Sequence, residues 1–333
     1  MAVAQAGPSS GAAPRSKKWA SFLRNNASLL LIYGLILIVG LYAATQAEHF
    51  RTMSNMANIL RQTILLGMIA IGQSVVILTG GIDFSVAMIA RVVALTIATI
   101  FAAQQSNPAL IVPLILLGLV IGVALGSVNG LLITRTHANP FIITFGIASI
   151  LRGVSLAIAT TPIRGIPKPY LKIYDAKIGI IPVNVIVMVL IWVAAWLFLN
   201  RSRLGRALYA VGGSERVARL SAIRVNRTLM AAYMFSAFCA AVAGLFILSR
   251  SGVGDPITAE GMDFQSVVAV ALGGISLYGG RGSLWGTLGG VLLLVMMSNV
   301  FNILQVNIYV QQLFLGLIVL IAVAAYKSPR SAT

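Results

Sequence analysis

The stretch from Asn200 to Arg227 reads NRSRLGRALYAVGGSERVARLSAIRVNR and lies between two apolar runs of membrane length. It carries seven arginines and one acid, Glu215. Basic loops between spans stay on the cytoplasmic side, so this loop sets the orientation of its neighbours. Its interior, Ala207 to Ile223, has the pattern of a short amphipathic helix led in by Gly212-Gly213-Ser214. A membrane protein that only conducts a solute has no use for such a helix; one that is pushed by a soluble partner does.

Outward from this loop, apolar runs recur along the whole chain. Of its 333 residues, 59% are hydrophobic and 9% charged, against about 25% charged in a soluble domain. The runs are continuous and about 17–25 residues long, which suits helical spans and not the alternating ten-residue strands of a membrane β-barrel. They read as ten spans, at 28–45, 57–79, 84–103, 109–133, 140–160, 182–199, 229–249, 264–279, 284–303 and 308–326. The predicted fold is therefore all-α: a polytopic membrane protein of about ten transmembrane helices with both termini cytoplasmic. Residues 1–27 read as a disordered basic tail, 28–326 as the transmembrane domain with its loop at 200–228, and 327–333 as a C-terminal tail.

The charges agree with that orientation. With the N-terminus inside, the inner loops and tails hold 15 Lys and Arg and the outer loops six, with Arg61, Arg91 and Arg152 inside predicted spans. The outer loops collect acids: Glu48, Asp175, Asp255, Glu260 and Asp263. The net charge of +17 is thus the positive-inside pattern, not a nucleic-acid surface. Cys239 alone makes no disulfide framework, and His49 and His137 are too far apart in sequence to suggest a metal site.

Other classes fall away by absence. No G-x-x-x-x-G-K-[ST] loop occurs, so the chain does not bind ATP in that manner. All seven acids read as loop or span-end residues, which argues against an ion-coupled carrier. No Ser/His/Asp set, HExxH or paired carboxylates share a depth, which argues against an intramembrane enzyme. No cofactor is expected.

Two tight turns stand at the inner side. In Thr79-Gly80-Gly81-Ile82-Asp83-Phe84-Ser85, Gly80 or Gly81 suits a left-handed helix closure, and Asp83 suits the N-cap of the next span. The segment reads either as a plain turn or as a gate element. Gly279-Gly280-Arg281-Gly282-Ser283 is the second, and it places Arg281 beside the basic loop. Asn139-Pro140 starts a span with Pro at its first helical position. Arg152 lies twelve residues further on, about 18 Å of helix rise, and should face the protein interior or water. Arg61 snorkels to the outer surface on this reading. For Arg91, snorkelling and pairing with an acid stay open. Gly118, Gly122 and Gly126, and Gly282, Gly286 and Gly290, recur at four-residue spacing, which permits close helix packing.

These motifs carry a resemblance. Asn58-Ile59-Leu60-Arg61-Gln62-Thr63 with Ile77 to Val86, Asn139-Pro140-Phe141-Ile142 with Arg152-Gly153, Gly205-Arg206 with Ala210 to Glu215 and Ala218 to Ile223, and Ala269 to Gly282 look like the permeases of ribose-type sugar ABC importers. The four blocks stand in the right order and span about residues 28–326. The resemblance implies an inner-membrane subunit without catalysis, paired with a second permease copy or paralogue. Separate ATPase subunits would drive it, and a periplasmic binding protein would deliver a monosaccharide or related polyol.

It also implies that Gly205, Arg206, Gly212, Gly213, Ser214, Glu215, Arg219, Leu220 and Ile223 contact the ATPase, with Glu215 and Arg219 four apart on one helical face. Gly80, Gly81, Asp83, Asn139, Pro140, Gly280, Arg281 and Gly282 are turn or gate candidates. Gln62, Thr144, Arg152 and Gln265 are path candidates. Asp255, Glu260 and Asp263 read either as docking acids for the binding protein or as ordinary solvated acids. The chain departs from the family at Ala87 for Gly, at Arg91 for a small or apolar residue, at Arg216 for the second Glu of the coupling segment, at Ala222 for Gly, and at Gln265 for an acid. The Arg91 and Gln265 changes bear on the substrate. A branched-chain amino-acid or nucleoside ABC permease would share the architecture, and an ATP-independent carrier or channel is the alternative of a different class.

Overall fold

Apolar runs long enough to span a membrane become helices because backbone groups in lipid must be satisfied within the segment. A computed structural model describes residues 27–46, 48–136, 138–179 and 181–325 of the chain. The expected tails, apart from Ala27, lie outside the described residues, as does His137. The helices are α1 (Ala27–Gln46), α2 (Met53–Leu78), α3 (Val86–Ala103), α4 (Ile111–Thr136), α5 (Pro140–Ile158), α6 (Lys168–Asp175), α7 (Val183–Arg201), α8 (Arg203–Gly213), α9 (Glu215–Leu220), α10 (Val225–Ser251), α11 (Met262–Leu272), α12 (Leu284–Ile303) and α13 (Ile308–Ala325). Among the described residues, eight helices are long and apolar enough to cross a membrane.

The eighth expected span, 264–279, is corrected. It is an 11-residue helix, α11, followed by irregular chain from Gly273 to Ser283. Eleven residues rise about 16 Å, half of a bilayer core of about 30 Å. Four glycines with positive φ, Gly274, Gly279, Gly280 and Gly282, turn the chain in this segment. Non-helical backbone at such a depth is tolerated only where protein covers it. Here α12 does so: its Gly286 and Gly290 let α11 approach through the carbonyls of Gly273 and Ala269.

At the centre stands α10, packed on α2, α3 and α4. The glycine stripe of α4 explains the closeness. Gly118 faces Leu245, and Gly122 and Gly126 face Ala241 and Ala237. A Cβ on Gly122 would lie 3.0 Å from the Ala237 carbonyl oxygen. On the other side, Gly72 of α2 meets Ser236 and Gly244 of α10 meets Ala90 of α3. Such small-residue contacts supply the van der Waals packing that holds helices together in lipid. From Thr63 to Leu78, α2 is buried on every face, as a helix apolar all round should be.

Two elements were not predicted. The eight-residue α6 is amphipathic and lies on α10 through Tyr170 and Tyr174, both buried. The Tyr170 hydroxyl donates to Leu245 O at 2.9 Å, and the Tyr174 hydroxyl to Arg61 O at 3.0 Å. A two-stranded hairpin, β1 (Lys177–Ile178) and β2 (Ile181–Pro182), follows.

Candidate functional site

The basic loop folds as two helices where one, Ala207 to Ile223, was expected. Gly212 and Gly213 close α8 instead of leading in a helix, and Ser214 breaks the run at φ −167°. Ser214 Oγ accepts from Val217 N at 3.3 Å and so caps α9. Ser202 caps α8 likewise, accepting from Gly205 N at 2.8 Å. Gly205 sits against the carbonyls of Phe198 and Leu199, with no room for a side chain. On α9, Arg219 and Glu215 form an i,i+4 ion pair at 2.6 Å. Arg206 and Arg216 are exposed, and so are the apolar Val217 and Leu220, the latter 81% accessible. Ala218, Val211 and Val225, with Ile223 beside them, hold α9 to the bundle.

Three segments meet under these helices. Gly280 N donates to Leu78 O at 3.0 Å. Gly212 lies against the same carbonyl, and Gly279 against Gly80. The Tyr209 hydroxyl donates to Gly282 O at 3.1 Å, and burial raises its pKa above the ordinary phenol value. The turns at 79–81 and 279–282 and the end of α8 thus share one backbone junction. Gly80 takes the left-handed conformation at φ +84°, and Arg281 is exposed beside it.

The expected N-cap role of Asp83 is corrected. Ser85 occupies the cap position of α3 without a side-chain bond. Asp83 is fully buried and accepts from Ser85 N at 3.0 Å and Ser85 Oγ at 2.6 Å. Asn139 does cap α5, accepting from Phe141 N at 3.0 Å, with Pro140 at the first position. Thr144 pins the Asp83 segment: its hydroxyl accepts from Phe84 N at 3.2 Å and lies 3.0 Å from Ile82 O.

A cavity of about 850 Å³ opens between α2, α11, α12 and α13. Gln62, Gln265, Ser298, Gln311 and Gln312 supply polar groups among Leu65, Leu294, Phe264, Phe301 and Phe314, with Arg250 and Glu260 also lining it. Amides offer both donors and acceptors, so the lining suits a compact polyhydroxylated solute. Gln62 and Gln265 were expected on a path; Thr144 and Arg152 do not line this cavity. Ser298, Gln311 and Gln312 went unnoticed, although polar residues in apolar helices were the available signal.

Glu260 ties the cavity to the bundle. One carboxylate oxygen accepts from Arg91 and the other from Arg152. Arg91 Nε also donates to Thr258 O at 2.8 Å, and its side chain is only 3% exposed. Both arginines lie within helices of spanning length. Glu260 lies in the connection between α10 and α11, as its place in the sequence suggests, yet that connection brings its carboxylate to two arginines that belong to such helices. Asp255 accepts from Ile257 N at 3.0 Å and Asp263 from Phe264 N at 2.9 Å, local turns at the mouth of that segment. Among the described residues no cluster of His, Cys, Asp and Glu forms a metal site.

Residues 55–323 match the family described as branched-chain amino acid transport system / permease component. Among curated proteins, the ribose import permease protein of Bacillus subtilis is 36% identical over 295 residues, covering 88% of this chain and 89% of that protein. The D-allose transport system permease protein of Escherichia coli is 32% identical over 291 residues, 87% and 88% of the two chains. The fructose import permease protein of Rhizobium meliloti is 32% identical over 317 residues, 92% and 87%. No solved structure shows a significant match.

Proposed function

The chain belongs to the branched-chain amino acid transport system permease family, and from that premise we propose that it is the membrane-spanning subunit of an ATP-driven sugar importer of the cytoplasmic membrane. Its cargo is a monosaccharide or related polyol. A second permease copy or paralogue completes the pathway. Soluble ATPase subunits bind the loop at 200–228, and a periplasmic sugar-binding protein delivers the cargo at the opposite end. Both termini are cytoplasmic. The reading assigns no catalysis to this chain.

The observation that carries this reading is the connection between loop and cavity. The end of α8 touches Leu78 O and Gly280 N; α2, which ends at Leu78, and α11, which leads to Gly280, both line the cavity. A push on α8 and α9 reaches two walls of the solute site through backbone alone. Rigid helices moved about such a junction are an ordinary means of switching access from one side to the other. On this account the exposed Val217 and Leu220, with the Glu215–Arg219 pair, form the ATPase contact. Within the cavity Gln62, Gln265 and Glu260 bond sugar hydroxyls. Arg152 and Arg91 hold Glu260 in place, Thr144 anchors the adjoining turn, and Asp255 and Asp263 remain for docking the binding protein.

The names of the relatives favour a sugar, while the family description includes branched-chain amino acids. The lining favours the sugar, since amides and one carboxylate match hydroxyls. Reconstituted permease and ATPase provide the test. Stimulation of ATP hydrolysis by a binding protein loaded with sugar, and not by one loaded with leucine, supports the assignment; the reverse pattern overturns it.

A further inference from the structure

An ionised carboxylate buried in a helix bundle needs a counter-charge, or else it takes up a proton. Asp83 is fully buried, and no ion pair reaches it among the described residues. Its partners are all neutral. Oδ1 accepts from Ser85 N and Ser85 Oγ, and Oδ2 accepts from Ser236 Oγ at 3.1 Å. Gln73, with its amide oriented to satisfy both ends, bonds the Asp83 backbone at 3.0 and 3.2 Å. Ser236 stands eleven residues into α10, so this group lies well inside the bundle. An ionised carboxylate there is costly without a compensating charge.

Two more buried oxygens at the same place lack partners. Asn129 of α4 is fully buried, and its Oδ1 has no hydrogen bond. Its Nδ2 donates to Ser85 Oγ at 2.7 Å, which sets the amide oxygen beside the Asp83–Ser85 pair. The Tyr233 hydroxyl, also fully buried, is unpartnered too. Tyr233 precedes Ser236 by three residues on α10, hence on the same face, and its hydroxyl lies against Gly81, two residues from Asp83. Three oxygen ligands, from the α2–α3 connection, α4 and α10, thus converge.

We propose that Asp83, Asn129 and Tyr233 bind a small monovalent cation of the sodium class. The ligands are hard oxygens, which suit hard cations. The single carboxylate matches a single positive charge, and no second acid approaches to favour a divalent ion. The cation joins the α2–α3 connection to α4 and α10, next to the junction that links the basic loop to the cavity. Neither ATP nor sugar enters this site, so its test is independent of the transport reading.

The experiment is equilibrium binding of 22Na⁺ to the full chain in lipid nanodiscs, with choline chloride holding ionic strength constant. The expected result is saturable binding of about one ion per chain, displaced by unlabelled NaCl and not by further choline chloride. Asp83→Asn should weaken it at least tenfold. Tyr233→Phe keeps the ring packed against Gly81 and should weaken it severalfold without lowering the unfolding temperature in choline. If Asp83→Asn fails to fold, the wild type and Tyr233→Phe still decide. Absence of saturable binding by the wild type, or equal binding by wild type and Tyr233→Phe, overturns the proposal.

Discussion

Glu260 accepts a hydrogen bond from Arg91, 169 residues away in sequence, on a carboxylate that also receives Arg152. The three charges join α3, α5 and the segment before α11. Removing the acid strands a guanidinium that is 3% exposed. Breaking a fully buried pair costs about 3–5 kcal/mol. Because Glu260 is half exposed, on the order of 1–2 kcal/mol is expected for Glu260→Gln. Arg91→Met in the same chain removes the stranded charge and should restore more than half of the loss. Thermal unfolding in detergent of both single variants and the double variant checks this; additive losses would show that the pair is not coupled.

Gly212 and Gly213 are adjacent in sequence and opposite in surroundings. A Cβ on Gly212 would enter the Leu78 carbonyl, whereas a Cβ on Gly213 meets nothing within 4 Å. Gly212→Ala should therefore displace α8 and uncouple ATP hydrolysis from uptake. Gly213→Ala should leave uptake intact and leave stability within about 1 kcal/mol of wild type. Uptake and ATPase rates measured side by side separate the two.

The exposed face of α9 should matter for assembly and not for folding. An exposed i,i+4 pair contributes about 0.3–0.5 kcal/mol, so Glu215→Ala with Arg219→Ala should barely shift unfolding. Leu220→Asp changes a side chain that is 81% accessible and should likewise be tolerated by the fold. Both variants should lose the ATPase subunit on co-purification. Full retention of the ATPase by Leu220→Asp would move the contact elsewhere.

In the cavity, Gln265→Leu keeps the volume and removes an amide. Loss of one hydrogen bond of about 1–1.5 kcal/mol corresponds to roughly tenfold in affinity. Half-maximal uptake should rise by that factor, with the maximal rate changed less.

Much of the fold was legible in the sequence. The run predicted at 284–303 is the helix Leu284–Ile303, and 140–160 becomes Pro140–Ile158 with Asn139 as its cap. Continuous apolar length and a cap residue are local signals, and they sufficed. What failed was depth. Asp83 and Glu260 sit in connections between helices, so spacing alone put them at surfaces. The connections turn sharply at left-handed glycines, Gly80 before Asp83 and Gly252 and Gly261 on either side of Glu260. The helix-like run at 264–279 misled for the same reason: its composition is apolar whether it crosses the membrane or stops halfway at Gly273. The acid partner of Arg91, 169 residues distant, is beyond any local pattern.

The most direct test is uptake of radiolabelled pentoses, hexoses and polyols by proteoliposomes holding this chain, its ATPase and its binding protein, with ATP sealed inside or omitted. Accumulation of one sugar above its external concentration, only with ATP, is the predicted result. Equal flux with and without ATP and the partners would contradict the account and make the chain a carrier or channel.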